Sequence, residues 1–300
     1  MATSTCVKFY PKKEKGEKAC AIRPEKPDFP QRKITPPPKM LTSLLFSATF
    51  AITCASVGWW KPSQGPVWDI MLAGAVKPSD PYLKNVTVVD IDLFDNDAAK
   101  ISQLKRNPAV RVICYFSAGS AEDWRPDYSQ FPKSALGNDY DGWPGEKWLD
   151  IRNPTVRAIM KKRIEMAKAK GCDAVDPDNV DVAQASSSVS GIQGLTRTDG
   201  LAFVKFLADT AHSLDMAVGL KNYVEEIAAL TPFVDFAINE SCSKYGECSA
   251  YAPFTSLGKP VFAIAYEKKM RVRVCSDAKK YRLDVVIKSW NLASFKSIRC

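Results

Sequence analysis

Acidic residues gather where apolar, strand-like runs end. Asp90 and Asp92 close VTVVDID, Asp176, Asp178 and Asp181 fall in DPDNVD, Glu240 follows VDFAIN, and Glu267 follows PVFAIAY. Carboxylates crowded at buried strand ends raise one another's pKa and are costly in a low dielectric, so such a cluster points to a site. The chemistry that needs two of them is glycosidic cleavage. One carboxyl donates a proton to the leaving oxygen, while the other, ionised, attacks the sugar or activates water. Asp178 and Glu240, at the ends of two separate runs, form the expected catalytic pair. Asp90, Asp92, Asp150, Asp176, Asn179, Asp181 and Glu267 are expected to line the cleft around them, although Asp95, Asp176 and Asp181 read equally as loop caps. Tyr115, Tyr266, Trp143 and Trp148 are candidates for stacking or cation-π faces. Lys221 and Asn222 are candidates to orient hydroxyls or the carboxylate pair, the plain alternative being a strand-end salt bridge.

Other chemistries lack their parts. The single histidine, His212, lies in the helical stretch DTAHSLD, which leaves no Ser-His-Asp or Cys-His arrangement. No Cys-x-x-Cys occurs, so a zinc site is not expected. Neither GxGxxG nor GxxxxGK[ST] is present, and no cofactor is expected.

The elements that must position these residues are legible as apolar runs alternating with helical patterns, the signature of βαβ units around a parallel sheet. Eight runs qualify: 67–73, 86–92, 110–116, 172–178, 216–221, 234–239, 260–266 and 283–290. Helical stretches lie between them at 97–106, 154–170, 199–214 and 224–230, with weaker ones near Ala250 and Ser276. Asn153 before Pro154 reads as a helix start, and Gly171 as its stop. Eight strands with no second shift in composition predict an α/β fold, a single (β/α)8 TIM-like barrel over residues 66–300, rather than an open doubly wound sheet. Such barrels carry their chemistry at the carboxyl ends of the strands, where the acids fall.

The barrel is preceded by a leader. Residues 1–39 hold ten Lys or Arg against four Asp or Glu, which is +6 of the chain's net +9, and end in Pro36-Pro37-Pro38. They read as a disordered basic tail. Only +3 remains for the other 261 residues, so a nucleic-acid footprint is not expected on the folded part. Met40 to Trp60 runs 21 residues without a charge and contains six Ser or Thr. It reads as a single-pass signal anchor if translation starts at Met1, or as a signal peptide if the start is Met40 or cleavage falls near Cys54. A linker, 61–65, follows. Either reading places a monomeric barrel outside the cytoplasm, on the outer face of the plasma membrane or secreted to the cell wall. Six cysteines in the globular part agree with that compartment. Cys242 with Cys248, and Cys275 with Cys300, are the expected disulfides. Asn85-Val-Thr87 and Asn239-Glu-Ser241 fit the N-glycosylation sequon, the second standing too close to the expected site to be modified.

The stretches WDIMLAG, DIDLFD, CYFSAGSAEDWRPD, EKWLDIR, GCDAVDPDNVD, GLKN and FAINESC, in that order, resemble glycoside hydrolase family 114, the endo-α-1,4-polygalactosaminidases, and its fungal membrane-anchored members in particular. The resemblance covers about residues 66–300. It implies a TIM-like barrel that cuts α-1,4-linked galactosamine within a galactosamine-containing polysaccharide without a metal, and it assigns the catalytic pair to Asp178 and Glu240. The sequence departs from the family at Val182-Ala183-Gln184, where Gly-Tyr is more usual. A polymer carrying one ammonium per free amine would be drawn to a cleft rich in carboxylates. Two other readings stay open from the residues: a catalytically silent, surface-tethered lectin or wall-binding barrel, and a hydrolase of a different amino-sugar polymer.

Overall fold

Alternation along each apolar run gives one set of side chains to the barrel axis and the other to the helices. The computed structural model describes residues 58–300, and the basic tail and most of the hydrophobic leader lie outside them. The strands are β1 Trp68–Met71, β2 Val88–Asp92, β3 Arg111–Ser117, β4 Ser120–Glu122, β5 Leu136–Asp139, β6 Glu146–Leu149, β7 Ala174–Asp178, β8 Ala217–Lys221, β9 Phe236–Glu240, β10 Val261–Ala265, β11 Asp284–Ile287 and β12 Ile298–Arg299. The helices are α1 Ala98–Leu104, α2 Pro154–Lys170, α3 Ser187–Ser190, α4 Arg197–Ser213, α5 Ile227–Leu230, α6 Cys242–Tyr245, α7 Ala252–Ser256 and α8 Arg271–Tyr281.

Eight strands pair in parallel in the order β1-β2-β3-β7-β8-β9-β10-β11, one for each predicted run, and form a TIM-like barrel. The apolar axis-facing residues, among them Trp68, Ile113, Phe236 and Phe262, make a plug along the axis beneath the mouth. The alternate residues, such as Ile91, Phe116, Val175 and Leu220, pack outward under the helices. Helix α2 starts and stops as expected. The Asn153 side chain accepts from Thr155 N, and Gly171 takes φ 91°, which closes the helix in the left-handed conformation. Thr196 and Asp199 form a capping box on α4.

Two connections depart from the simple βα pattern. Between β1 and β2 there is only a short 3-10 turn at Pro81–Leu83. Between β3 and α2 the chain builds a small antiparallel sheet, β4-β6-β5.

The barrel seam between β11 and β1 is made without a ladder. Trp68 Nε1 donates to Asp284 O at 2.7 Å, Leu72 N to Leu292 O at 3.0 Å, and Lys288 pairs with the buried Asp69. β12 adds antiparallel to β11 and sends Arg299 Nη2 to Asp69 Oδ2 at 2.8 Å.

Among the described residues three disulfides brace the shell: Cys242–Cys248, Cys275–Cys300, and Cys114–Cys172. The last joins residues 58 apart and ties β3 to the segment entering β7. Among the described residues no helix is long and apolar enough to cross a membrane. Asn85 is exposed, whereas Asn239 is buried with its Nδ2 donating to Tyr251 Oη at 2.9 Å, which closes that sequon to a glycan in the folded state.

Candidate active site

The last axis-facing position of each strand decides what the mouth holds. β7 ends in Asp178, β8 in Lys221 and β9 in Glu240, while Tyr266 directly follows β10, and the structure brings these four together. Lys221 Nζ stands 3.1 Å from Asp178 Oδ2 and 3.9 Å from Glu240 Oε2, so those two oxygens are at most 7.0 Å apart, the sum of the two legs. That ceiling keeps the pair inside the roughly 9.5 Å reach over which two carboxylates can flank one glycosidic bond. Burial opposes the charge on Lys221, but Asp178, Glu240 and Asp176 overcome it and hold the ammonium firmly protonated.

Each carboxylate has its own holders. Asp178 Oδ2 accepts from Tyr115 Oη at 2.9 Å, and its Oδ1 from Asn179 N at 2.8 Å. Glu240 Oε1 accepts from the Tyr266 hydroxyl, and the Glu240 backbone N–H is fixed by Asn222 Oδ1 at 2.9 Å. Burial, reinforced by the neighbouring carboxylates, keeps both tyrosines protonated donors by pushing their pKa upward.

The backbone at the mouth is unusual. Asn179 (φ 58°), Asn222 (φ 49°), Tyr223 (φ 47°) and Ser241 (φ 67°) all adopt the left-handed region immediately after β7, β8 and β9. Non-glycine residues there store local strain, of order 1 kcal/mol or more each, that the surrounding hydrogen bonds must hold. Gly119 permits one such turn, because a Cβ on it would lie 1.7 Å from Asn179 O.

Sequence reasoning missed the support behind Asp178. Asn179 Nδ2 donates to Ser117 Oγ at 2.9 Å and to Glu146 Oε1 at 3.1 Å, and Ser120 also bonds Glu146. Glu146 comes from β6, in the antiparallel insertion; as the first residue of the EKWLDIR stretch, its acidic side chain was the available signal. Burial pushes its carboxyl from 4.5 up to about 7, against the lowering effect of the Ser120 bond. Between those values the folded chain keeps a proton that the unfolded chain has lost, so stability falls as pH rises through that window. Melting temperature measured from pH 4.5 to pH 8 is expected to decline across it, and Glu146→Gln to flatten part of the decline. Asp176, also raised to about 7 by burial, adds a slope of the same sign. An undiminished slope in the variant would remove Glu146 as a source.

Several residues expected to line the cleft are buried or held in ion pairs. Asp90 and Asp176 are fully buried one layer beneath Asp178 and lie against each other, and burial raises both. Asp92 is 1% exposed and saturated: it pairs with Arg125 at 2.5 Å and caps Phe94 N and Asp95 N. Asp150 gives both carboxylate oxygens to Arg152, and Glu267 pairs with Lys244 at 3.0 Å. Trp148 is buried against Tyr140, whereas Trp143 is exposed on the β5–β6 turn. Asp181 lies on the loop after β7, ahead of a 3-10 turn at Val182–Gln184. The net negative charge presented at the mouth is therefore smaller than the count of acids predicts, because burial and pairing consume most of it. His212, in the last turn of α4 ahead of β8, takes no part in this cluster: it stacks on Trp59 at 3.9 Å and bonds Asp235 at 2.7 Å. Among the described residues no group of His, Cys, Asp and Glu is arranged to hold a metal ion.

Comparison with known proteins places this geometry in context. The family model described as glycoside-hydrolase family GH114 matches residues 51–300. Ega3 from Aspergillus fumigatus, solved in complex with galactosamine, is 41% identical; the match covers 81% of this chain and 98% of that one at a TM-score of 0.75. The glycoside hydrolase domain of PelA from Pseudomonas aeruginosa is 15% identical over 78% of this chain and 98% of its own, at a TM-score of 0.63, and shares the fold. No curated protein matches.

Proposed function

Because the chain belongs to glycoside-hydrolase family GH114 and is a glycosidase, we propose that it cleaves within α-1,4-linked galactosamine polymers by a two-carboxylate mechanism centred on Asp178 and Glu240. The observation that carries this reading is the convergence of both acids on one buried lysine at the barrel mouth. Asp178 receives three donors, from Tyr115, Asn179 and Lys221, and is the group arranged to carry negative charge as it attacks or activates water. Glu240 receives the Tyr266 hydroxyl, stays 31% exposed in its side chain, and is the group placed to protonate the departing sugar oxygen. The galactosamine bound by Ega3 supports an amino-sugar substrate. While both acids are ionised, Asp178, Glu240 and Lys221 together leave one negative charge at the mouth, the sign that draws in an ammonium-bearing sugar, and Glu240 takes up a proton before it acts as the acid.

The three disulfides support folding in an oxidising compartment, outside the cytosol, whether residues 40–60 anchor the chain or are removed. We read the domain as a monomer attached to or released from the cell surface. Incubating the full chain with α-1,4-linked polymers that differ only in acetylation of the 2-amine, and with the neutral α-1,4-galactose polymer, tests the substrate. Product masses are expected to show internal cleavage of the free-amine polymer and little release from the neutral one. Binding without release from any of them would instead indicate a lectin.

A further inference from the structure

Trp290 stands just past β11, the eighth parallel strand, and therefore at the same end of the barrel as Asp178 and Glu240. It is 66% exposed, unlike the barrel's Trp68, which is 2% exposed and belongs to the axial plug. Its turn is nevertheless firmly held. Leu292, two residues on, takes φ 47° and inserts into the axial plug, while its carbonyl accepts from Leu72 N at 3.0 Å and Ala73 N at 3.4 Å. Leu292 N returns to Ser289 O at 3.2 Å, and Ser289 Oγ bonds Asn291 Oδ1 at 3.1 Å. An indole on so fixed a turn loses little conformational freedom on meeting a ligand.

Its contact with the site is direct. The Trp290 ring meets Tyr266 edge to face, with centroids 4.6 Å apart and planes at 61°, and the Tyr266 hydroxyl donates to Glu240. An exposed aromatic surface thus begins one residue away from the carboxylate placed as proton donor. Hexose rings of galacto configuration carry a contiguous patch of C–H bonds on one face, which packs on an aromatic plane. A protonated 2-amine gains further from the ring's negative face.

We infer that Trp290 is the floor of a sugar-binding subsite on the Glu240 side of the scissile bond, taking one amino-hexose ring of the bound chain. This rests on the glycosidase reading above, and adds to it the residue that makes affinity grow with chain length on that side.

The test uses the full chain and galactosamine oligosaccharides of increasing length. Trp290→Ala is expected to raise KM for the longer oligosaccharides on the order of tenfold, the loss of about 1.4 kcal/mol of ring contact, with the loss falling in KM rather than kcat. Trp290→Phe is expected to recover most of it. A fall in kcat at unchanged KM would overturn the subsite, since Trp290 would then act only as a brace for Tyr266, and identical kinetics would overturn it too. Binding separates failure here from failure of the glycosidase reading. If the unaltered chain cleaves none of the oligosaccharides, that reading fails, and calorimetry on Glu240→Gln with and without Trp290→Ala still decides the platform. Affinity on the order of tenfold weaker in the double variant supports it, and equal affinity sinks it.

Discussion

Glu240→Gln lowers kcat on galactosamine polymer by about 10²- to 10⁴-fold, the range of a lost general acid, while leaving the folded domain nearly as stable as before. The amide keeps an oxygen for the Tyr266 hydroxyl, and Lys221 keeps its nearer partner Asp178 at 3.1 Å, so the buried ammonium loses only the carboxylate at 3.9 Å. Asp178→Asn is expected to remove activity as thoroughly but at a price in stability. Both oxygens of Asp178 are in use, Oδ1 by Asn179 N and Oδ2 by Tyr115 and Lys221, so an amide nitrogen must face a donor whichever way it turns. Reducing-end release and a thermal melt on each variant check the pair. Full activity in Glu240→Gln would displace Glu240 from the chemistry, and a melt unchanged in Asp178→Asn would show that its donors relax freely.

Lys221→Met carries the largest expected loss of stability. The ammonium is 2% exposed, and it balances Asp178 directly and Glu240 and Asp176 at longer range. Removing one partner of a buried charge cluster typically costs about 3–5 kcal/mol, which for a domain of this size lowers Tm by roughly 10 °C. Activity is expected to fall with it, because the two carboxylates lose the group that holds them within reach of one bond. Lowering the pH should recover part of the stability of Lys221→Met, since protonating a carboxyl then removes the uncompensated charge. If melting is unaffected, or if acid makes the variant worse, the lysine is not the electrostatic centre of the site.

Much of this was readable from residue order, and the part that was not has a geometric cause. The eight parallel strands appear where apolar runs were expected, because a strand buried on both faces must be apolar on both. Asp178 and Glu240 converge because each is the last axis-facing residue of its strand. Asp90 and Asp176 were misplaced for the same reason. Two residues along a strand descend about 6.6 Å toward the plug, so DIDLFD and DPDNVD each hold one acid below the level of the mouth, where burial seals it. Asp92 kept the right level but met Arg125, which comes from the loop after β4, and no strand pattern announces a partner that distant. The β4–β6 insertion went unseen because its strands are three or four residues long and partly polar. With it went Glu146. Cys114 and Cys172 could be counted in the sequence, but a pairing 58 residues long follows from β3 lying beside β7, not from spacing. Trp290 was hidden inside a run read as strand to its end, whereas β11 stops at Ile287.

The ladderless joint between the first and eighth parallel strands governs the order in which the molecule can be completed. Everything that fastens it, from Asp284 and Lys288 through Leu292 to Arg299, is synthesised after the other seven strands. A nascent chain must therefore wait as an open, curling sheet with both edges unpaired, the arrangement most prone to pairing with a neighbour. Shortening the chain past Ser297, which removes β12 together with the Cys275–Cys300 bridge, should accordingly harm the yield of folded protein far more than the catalytic power of whatever fraction does close.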